Sequence, residues 1–184
     1  MNHCMIDLET LGTQPGSIIL SIGAVLFDPT KAPHECLGEE FYYVIGKPTC
    51  LAAGLTFSQD TLDWWKKQSP EARKVLTQSE DPNESISLKK VLDLLSVWLP
   101  PNTKVWSNGA NFDQPLLDVA YNKVGKSIPW KYYHSRCHRT VVALHPNEKA
   151  LRPPTILAHN ALEDAKWQAK HLVNVAQALN LKLQ

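Results

Sequence analysis

Asp7 and Glu9 stand two residues apart in the opening run Cys4-Met5-Ile6-Asp7-Leu8-Glu9-Thr10. On a strand, a period of two puts both side chains on one face, where two carboxylates repel unless a cation lies between them. Ligation by acid oxygens, without a nearby Cys or His set, suits a hard divalent ion such as Mg²⁺ or Mn²⁺ rather than structural zinc. The same pair is also what a solvated strand edge shows, so it needs partners. A further acid, Asp113, follows Trp106-Ser107-Asn108-Gly109-Ala110-Asn111-Phe112, where an apolar strand gives way to a helix. An acid there can equally be a plain helix cap, favoured by hydrogen bonding and by the macrodipole. The third group is His159 and Asp164, five residues apart in Leu157-Ala158-His159-Asn160-Ala161-Leu162-Glu163-Asp164-Ala165. A histidine at a helix start also serves as an ordinary hydrogen-bonding residue.

These residues need elements to hold them. The apolar run ending at Thr10 reads as a strand that meets a loop at Gly12, Pro15 and Gly16. Ser17 to Phe27 and Glu40 to Gly46 are two more strand candidates, and the three can pair as a meander. Residues 58 to 78 turn helical in pattern, with Ser58 as candidate N-cap and Ser69-Pro70 splitting the segment into two short helices. Ser85 to Leu99 spaces Ile86, Leu88, Val91, Leu92, Leu94, Leu95, Val97 and Trp98 as a helix does, and Pro100-Pro101 stop it. Thr103 to Ser107 is a short buried strand leading through Asn108-Gly109 into a helix over Asp113 to Val124. Gly125 to Pro154 is mixed, and Ala158 to Leu181 is a long helical pattern with Leu162, Ala165, Ala169, Leu172, Val173 and Ala176 inward. Strands first and helices interspersed later point to a three-layer α/β or α+β arrangement, with residues 1–184 expected to form a single domain.

Composition narrows the function. The 184 residues are 43% hydrophobic and 20% charged, within the globular range. Nineteen basic against 18 acidic side chains leave a net charge of +1, so no overall field recruits a polyanion and any such partner must be gripped locally. The four cysteines, Cys4, Cys36, Cys50 and Cys137, form no CxxC pair, and residues 1 to 20 lack the pattern of a signal peptide; a reducing cytoplasm is the expected location. No apolar stretch suits a membrane helix, so no membrane partner is expected.

The ordered set of an acid pair on the first strand, an acid after a later strand and a His-x4-Asp opening the last helix is specific. With it the chain resembles the DEDD (DnaQ-like) superfamily of 3′–5′ exonucleases over nearly its whole length, in the histidine-containing branch that includes RNase T. Asp7 and Glu9 match the first motif, Asp113 the second, and His159 with Asp164 the third. The segment Thr61-Leu62-Asp63-Trp64-Trp65-Lys66-Lys67-Gln68-Ser69-Pro70-Glu71-Ala72-Arg73 further resembles the phage-type exonuclease A group, suggesting a phage or prophage origin. Two positions depart from the superfamily pattern. Gly109 stands where asparagine is usual, four residues before the acid, with Asn108 one place earlier, and Leu20-Ser21 precede Ile22-Gly23 where a glutamate is common.

The resemblance implies a ribonuclease H-like α/β fold, a mixed five-stranded central sheet flanked by helices on both faces. It implies hydrolysis of single-stranded nucleic acid from the 3′ end to nucleoside 5′-monophosphates with two Mg²⁺ or Mn²⁺ ions. In that reading Asp7, Glu9 and Asp164 hold the ion that binds the attacking water. Asp7 reaches a second ion beside the leaving 3′ oxygen, Asp113 orients its water shell, and His159 takes the proton. Thr10, Leu11, Asn108 and Phe112 are the implied substrate contacts, Phe112 through a stacking face. Adjacent Trp64 and Trp65 cannot share one helix face, so one is expected in the core and the other towards substrate or a partner. Lys66, Lys67, Arg73 and Lys74 could meet phosphates, but read first as a solvated face, as do Glu163 and Asp118. The tryptophan pair favours DNA, with an RNase T-type exoribonuclease as the alternative; homodimers occur among relatives of that type.

Other readings remain. His134, Cys137 and His138 with His3 or Cys4 could be imagined around zinc, but their spacing fits no structural zinc pattern. A phosphodiesterase of small oligonucleotides needs the same acids. An inert nucleic-acid-binding module has no physical need for four converging carboxylates.

Overall fold

The computed structural model describes residues 1–145 and 159–183. The first apolar run forms β1 (His3–Thr10), which turns back as β2 (Ile19–Phe27) and again as β3 (Leu37–Val44), each pair antiparallel. β4 (Lys104–Ser107) joins β1 in parallel on the other side, and β5 (Ser135–Cys137) pairs in parallel with β4. The result is a mixed five-stranded sheet in the order β3-β2-β1-β4-β5. A parallel neighbour requires a crossover. The β3-to-β4 connection supplies four helices, α1 (Lys47–Ala52), α2 (Gln59–Trp65), α3 (Pro70–Gln78) and α4 (Leu88–Trp98), and α5 (Asp113–Lys123) links β4 to β5. Helices α6 (His138–Val142) and α7 (Ala161–Ala178) follow among the described residues. Among the described residues no helix is long and apolar enough to cross a membrane.

Alternation along β1 divides the core. Cys4, Ile6 and Leu8 pack with Leu92 and Leu95 of α4 and Leu116 and Leu117 of α5, while Met5 packs on the opposite face with Ala165, Ala169, Leu172 and Val173 of α7. β2 is covered on both faces, which is why it reads as a continuous apolar run. Burying a side chain such as Leu172 contributes about 2 kcal/mol. Because Asp7 and Glu9 share the parity of Met5, they open on the α7 face, at the end of β1 nearest the loop.

Several element boundaries differ from the spacing pattern. Ser85 and Ile86 do not begin α4, because the Ile86 N–H donates to Val44 O and Ile86 bridges to Ile45, so the helix starts after Ser87. Ser17 is drawn off β2 in the same way by a bridge to Thr56. Ser58 occupies the N-cap position of α2 without a side-chain cap bond, whereas Ser69 Oγ accepts the Ala72 N–H at the start of α3. Helix α1 and strand β5 are too short to carry a periodic signal, and neither was expected. The expected start of the last helix at Ala158 lies outside the described residues.

One contact brings α7 onto the sheet. Gly23 pairs with Asp7 across the β1–β2 ladder, and a Cβ added to Gly23 would collide with the backbone of Ala161 and Leu162. The first turn of α7 therefore rests directly on β2 beside Asp7.

Candidate active site

That approach delivers Asp164 to the acid pair. Asp7 is half-buried and Glu9 and Asp164 are buried, and one carboxylate oxygen from each lies within 4.8 Å of the others. At an effective dielectric near 20, each charged pair at such a separation costs about 3 kcal/mol. Three acids in this arrangement fit a hard cation, and they form the one such group of potential ligands among the described residues. Asn160 caps the helix, its Oδ1 accepting the Glu163 N–H, and the positive end of α7 favours Asp164 in its first turn. One turn on, Gln168 Nε2 donates to Asp7 Oδ1 at 2.8 Å. Gln168 Oε1 is buried with no hydrogen-bond partner among the described residues. Sequence reading missed Gln168; its position four residues after Asp164 was the available signal.

His159 precedes the cap with φ +62°, a left-handed conformation uncommon for a histidine. Its ring meets that of Trp64 edge-on, centroids 4.8 Å apart at 83°. The two tryptophans divide their work as α2 requires. Trp65 is buried and its Nε1 donates to Thr10 O at 2.9 Å, while Trp64 remains 41% exposed in the cleft. Together with Asp7, Glu9, Asp164, Gln168, Asn108, Phe112, Thr10 and Asp60 they line a chamber of about 650 Å³.

Asp113 does not join the three-acid group. It opens α5 fully buried, facing a second chamber of about 640 Å³ that shares Asp7, Leu8, Thr13, Asn108 and Phe112 with the first. Burial pushes its carboxyl up to about 7, against the opposing pull of its own and the Leu8 backbone N–H groups and of the Arg139 charge.

Asn108, on the wall between the chambers, is held from behind. His138 Nδ1 lies 3.1 Å from Asn108 Oδ1, and His138 Nε2 lies 3.2 Å from His171 Nδ1 on α7. Burial, reinforced by His171 and Arg139, drives the His138 pKa down to about 3, so its ring is neutral. With Asn108 Oδ1 accepting, the Nδ1 of His138 carries the hydrogen and its Nε2 accepts from His171. Gly109 follows at φ +115°, a turn open to glycine, with the Arg139 guanidinium carbon 3.7 Å from where a Cβ would sit. Glycine at this departure from the superfamily pattern is thus a backbone requirement.

Other expected residues lie elsewhere. The Leu11 side chain does not reach the cleft: it is 1% exposed in the core beneath β1, where the chain turns towards β2, and only the neighbouring Thr10 lines the chamber. Lys66 pairs with Asp63 on the surface, and Lys66, Lys67, Arg73 and Lys74 line neither chamber. Glu163 pairs with Lys166, and Asp118 is exposed. No zinc arrangement forms among the described residues: His138 bonds His171, and His3 accepts from Trp106 Nε1.

The family described as 3′-5′ exoribonuclease Rv2179c-like domain matches residues 2–176. An exodeoxyribonuclease of Enterobacteria phage T4 is 28% identical over 159 residues, covering 74% of this chain and 68% of the phage protein. Among solved structures, exonuclease X in complex with 5′-overhanging duplex DNA superposes with a TM-score of 0.60 at 15% identity, over 97% of this chain and 93% of that one. Cell-death related nuclease 4 gives 0.57 at 12% identity over 95% and 64%. The nuclease domain of 3′hExo, a DEDDh family member bound to rAMP, gives 0.50 at 15% identity over 98% and 94%. The fold is the ribonuclease H-like one.

Proposed function

Because the chain belongs to the 3′-5′ exoribonuclease Rv2179c-like family and is a 3′–5′ exonuclease of the DEDD superfamily, we propose that it degrades single-stranded DNA from the 3′ end to nucleoside 5′-monophosphates. The observation that carries this reading is the meeting of Asp7, Glu9 and Asp164 in one cleft with His159 and an aromatic wall. The phage T4 relative, an exodeoxyribonuclease, supports DNA. The family's description favours RNA as the second reading.

Asp7, Glu9 and Asp164 would hold Mg²⁺ or Mn²⁺, with Asp7 also turned to the chamber of Asp113 for a second ion. Bound there, divalent ions supply charge neutralisation at the scissile phosphate, an activated water and a stabilised leaving oxygen. The protein's own groups do the rest. Gln168 fixes one Asp7 oxygen, leaving the carboxylate a defined orientation. His159 takes the proton of the attacking water on a ring nitrogen, imidazole being the side chain whose proton exchange lies nearest neutral pH. Trp64 and Phe112 offer stacking faces for the terminal base, each contributing about 1–3 kcal/mol.

The test is a 5′-labelled single strand, as DNA and as RNA of one sequence, incubated with Mg²⁺, Mn²⁺ or EDTA. A metal-dependent ladder shortening from the 3′ end is expected, faster on DNA, abolished by Asp7→Asn and slowed about 10²- to 10⁴-fold by His159→Ala. Faster shortening of RNA would select the second reading. No shortening of either polymer would falsify the exonuclease assignment of this cleft.

A further inference from the structure

The cleft has two chambers of similar size and different character, and among the described residues a lysine or arginine side chain lines only one of them. The first holds Trp64, Trp65, Phe112 and His159 beside the three acids, a surface suited to a base. The second shares Phe112 with it but has neither tryptophan, and adds Gln14, Asn111, Asp113 and Arg139, mainly polar groups suited to sugar and phosphate. Asp7 lies on the wall they share, so a phosphodiester cleaved there has one nucleotide on the aromatic side and the remaining strand on the other.

The strand is a polyanion approaching Asp7 and Asp113, on a protein whose net charge is only +1. Among the described residues lining either chamber, Arg139 is the only lysine or arginine. Its guanidinium is partly pre-positioned, Nη2 donating to Asn108 O at 3.1 Å and the group packing against Gly109. One donor is thereby engaged, and the rest of the planar fork is left for a phosphate, the geometry in which arginine binds best.

We propose that the second chamber is the strand-side subsite and that Arg139 binds the phosphodiester immediately 5′ of the scissile one. The assignment rests on the exonuclease reading, because it takes its direction from cleavage at Asp7. Sequence reading did not single out Arg139. It lies in the mixed stretch before the last helix, and only the parallel pairing of β5 with β4 brings it beside Asn108.

The experiment compares a thymidine dinucleotide, whose single phosphate is the scissile one, with the trinucleotide, longer by one phosphate on the 5′ side. Wild-type enzyme is expected to show a KM about tenfold lower for the trinucleotide. Arg139→Gln should erase that advantage, with the loss in kcat/KM about tenfold larger on the trinucleotide than on the dinucleotide, and Arg139→Lys should restore part of it. On a twelve-nucleotide strand the slope of log(kcat/KM) against log[NaCl] should fall by about 0.7 in Arg139→Gln. Equal losses on dinucleotide and trinucleotide would overturn the proposal, as would an unchanged trinucleotide advantage. If wild-type enzyme cleaves neither these substrates nor the twelve-nucleotide strand, it is the exonuclease reading that fails. Fluorescence anisotropy of a 5′-labelled twelve-nucleotide strand then decides Arg139 alone: weaker binding by Arg139→Gln upholds its phosphate contact, and equal binding removes it.

Discussion

Asp113 and the Asp7 group show how burial assigns different electrostatic tasks to acids of one cleft. Asp7, Glu9 and Asp164 confront one another, whereas Asp113 confronts chiefly the loss of water, which pushes its carboxyl up to about 7. Its charged form is therefore the disfavoured one in the folded protein. Stability is fully present below the ordinary aspartate range near 3.8, falls as pH rises, and reaches its full loss above about 7. In EDTA, Asp113→Asn should melt at a higher temperature than wild type, with a gap that widens from pH 5 to 7 and is flat from 7 to 8.5. A gap independent of pH would show that the buried charge is not its source. At the same level, Leu11 and Trp64 mark what residue type alone does not tell. A leucine beside the acids is buried in the core, while a tryptophan, ordinarily a core residue, stands in the cleft against His159.

Among the elements, α7 and β2 decide whether the acids meet. Asp164 reaches Asp7 because the first turn of α7 rests against backbone at Gly23, a spacing that no side chain permits. Gly23→Ala must lift the helix start or bend the strand, an overpacking cost of about 1–3 kcal/mol. Activity should fall about 100-fold, since displacements near 1 Å matter at this level, with the far-UV circular dichroism spectrum retained. Full activity in that variant would show that α7 is positioned from elsewhere, with the Gln168–Asp7 and His138–His171 bonds as the remaining candidates. The long elements were legible, α4, α5 and α7 from their period and β1 to β3 from apolar runs ended by turns. Their ends were less so, because Ile86 and Ser17 follow the hydrogen-bond partners that tertiary pairing offers them.

Across the protein as a unit, the acid group ties the first strand to the last helix, so cation binding there is also a fastening of the fold. A ligand that binds only the folded chain at 100 times its Kd stabilises it by about 2.7 kcal/mol. For a chain of this length that is a rise of about 5–10 °C in Tm. Mn²⁺ should produce such a shift by calorimetry at an ionic strength matched with KCl, and Asp7→Asn should lose most of it. An unchanged wild-type Tm across a millimolar titration would rule out a tight site at the three acids. The near-neutral net charge fits the same picture, since recognition of a polyanion then depends on bound cations and on local groups such as Arg139 rather than on a long-range field.

By itself the sequence determined the parity of Asp7 and Glu9, the acid at the start of α5, the spacing of His159 and Asp164 at the entrance to α7, and the meander that opens the sheet. All of these are local, set by a strand period of two, a helix period of 3.6 and the capping of helix ends. Tertiary structure alone decided by what contacts Asp164, grouped with Asp7 and Glu9 by the resemblance, is brought to them, and that Asp113 faces a chamber of its own. It also decided that Trp65 bonds Thr10 while Trp64 meets His159, and that Gln168 and Arg139 belong to the cleft at all. The physical reason is that spacing selects a face, whereas the group opposite that face arrives from an element distant in the chain, by packing and backbone contact that no local pattern encodes.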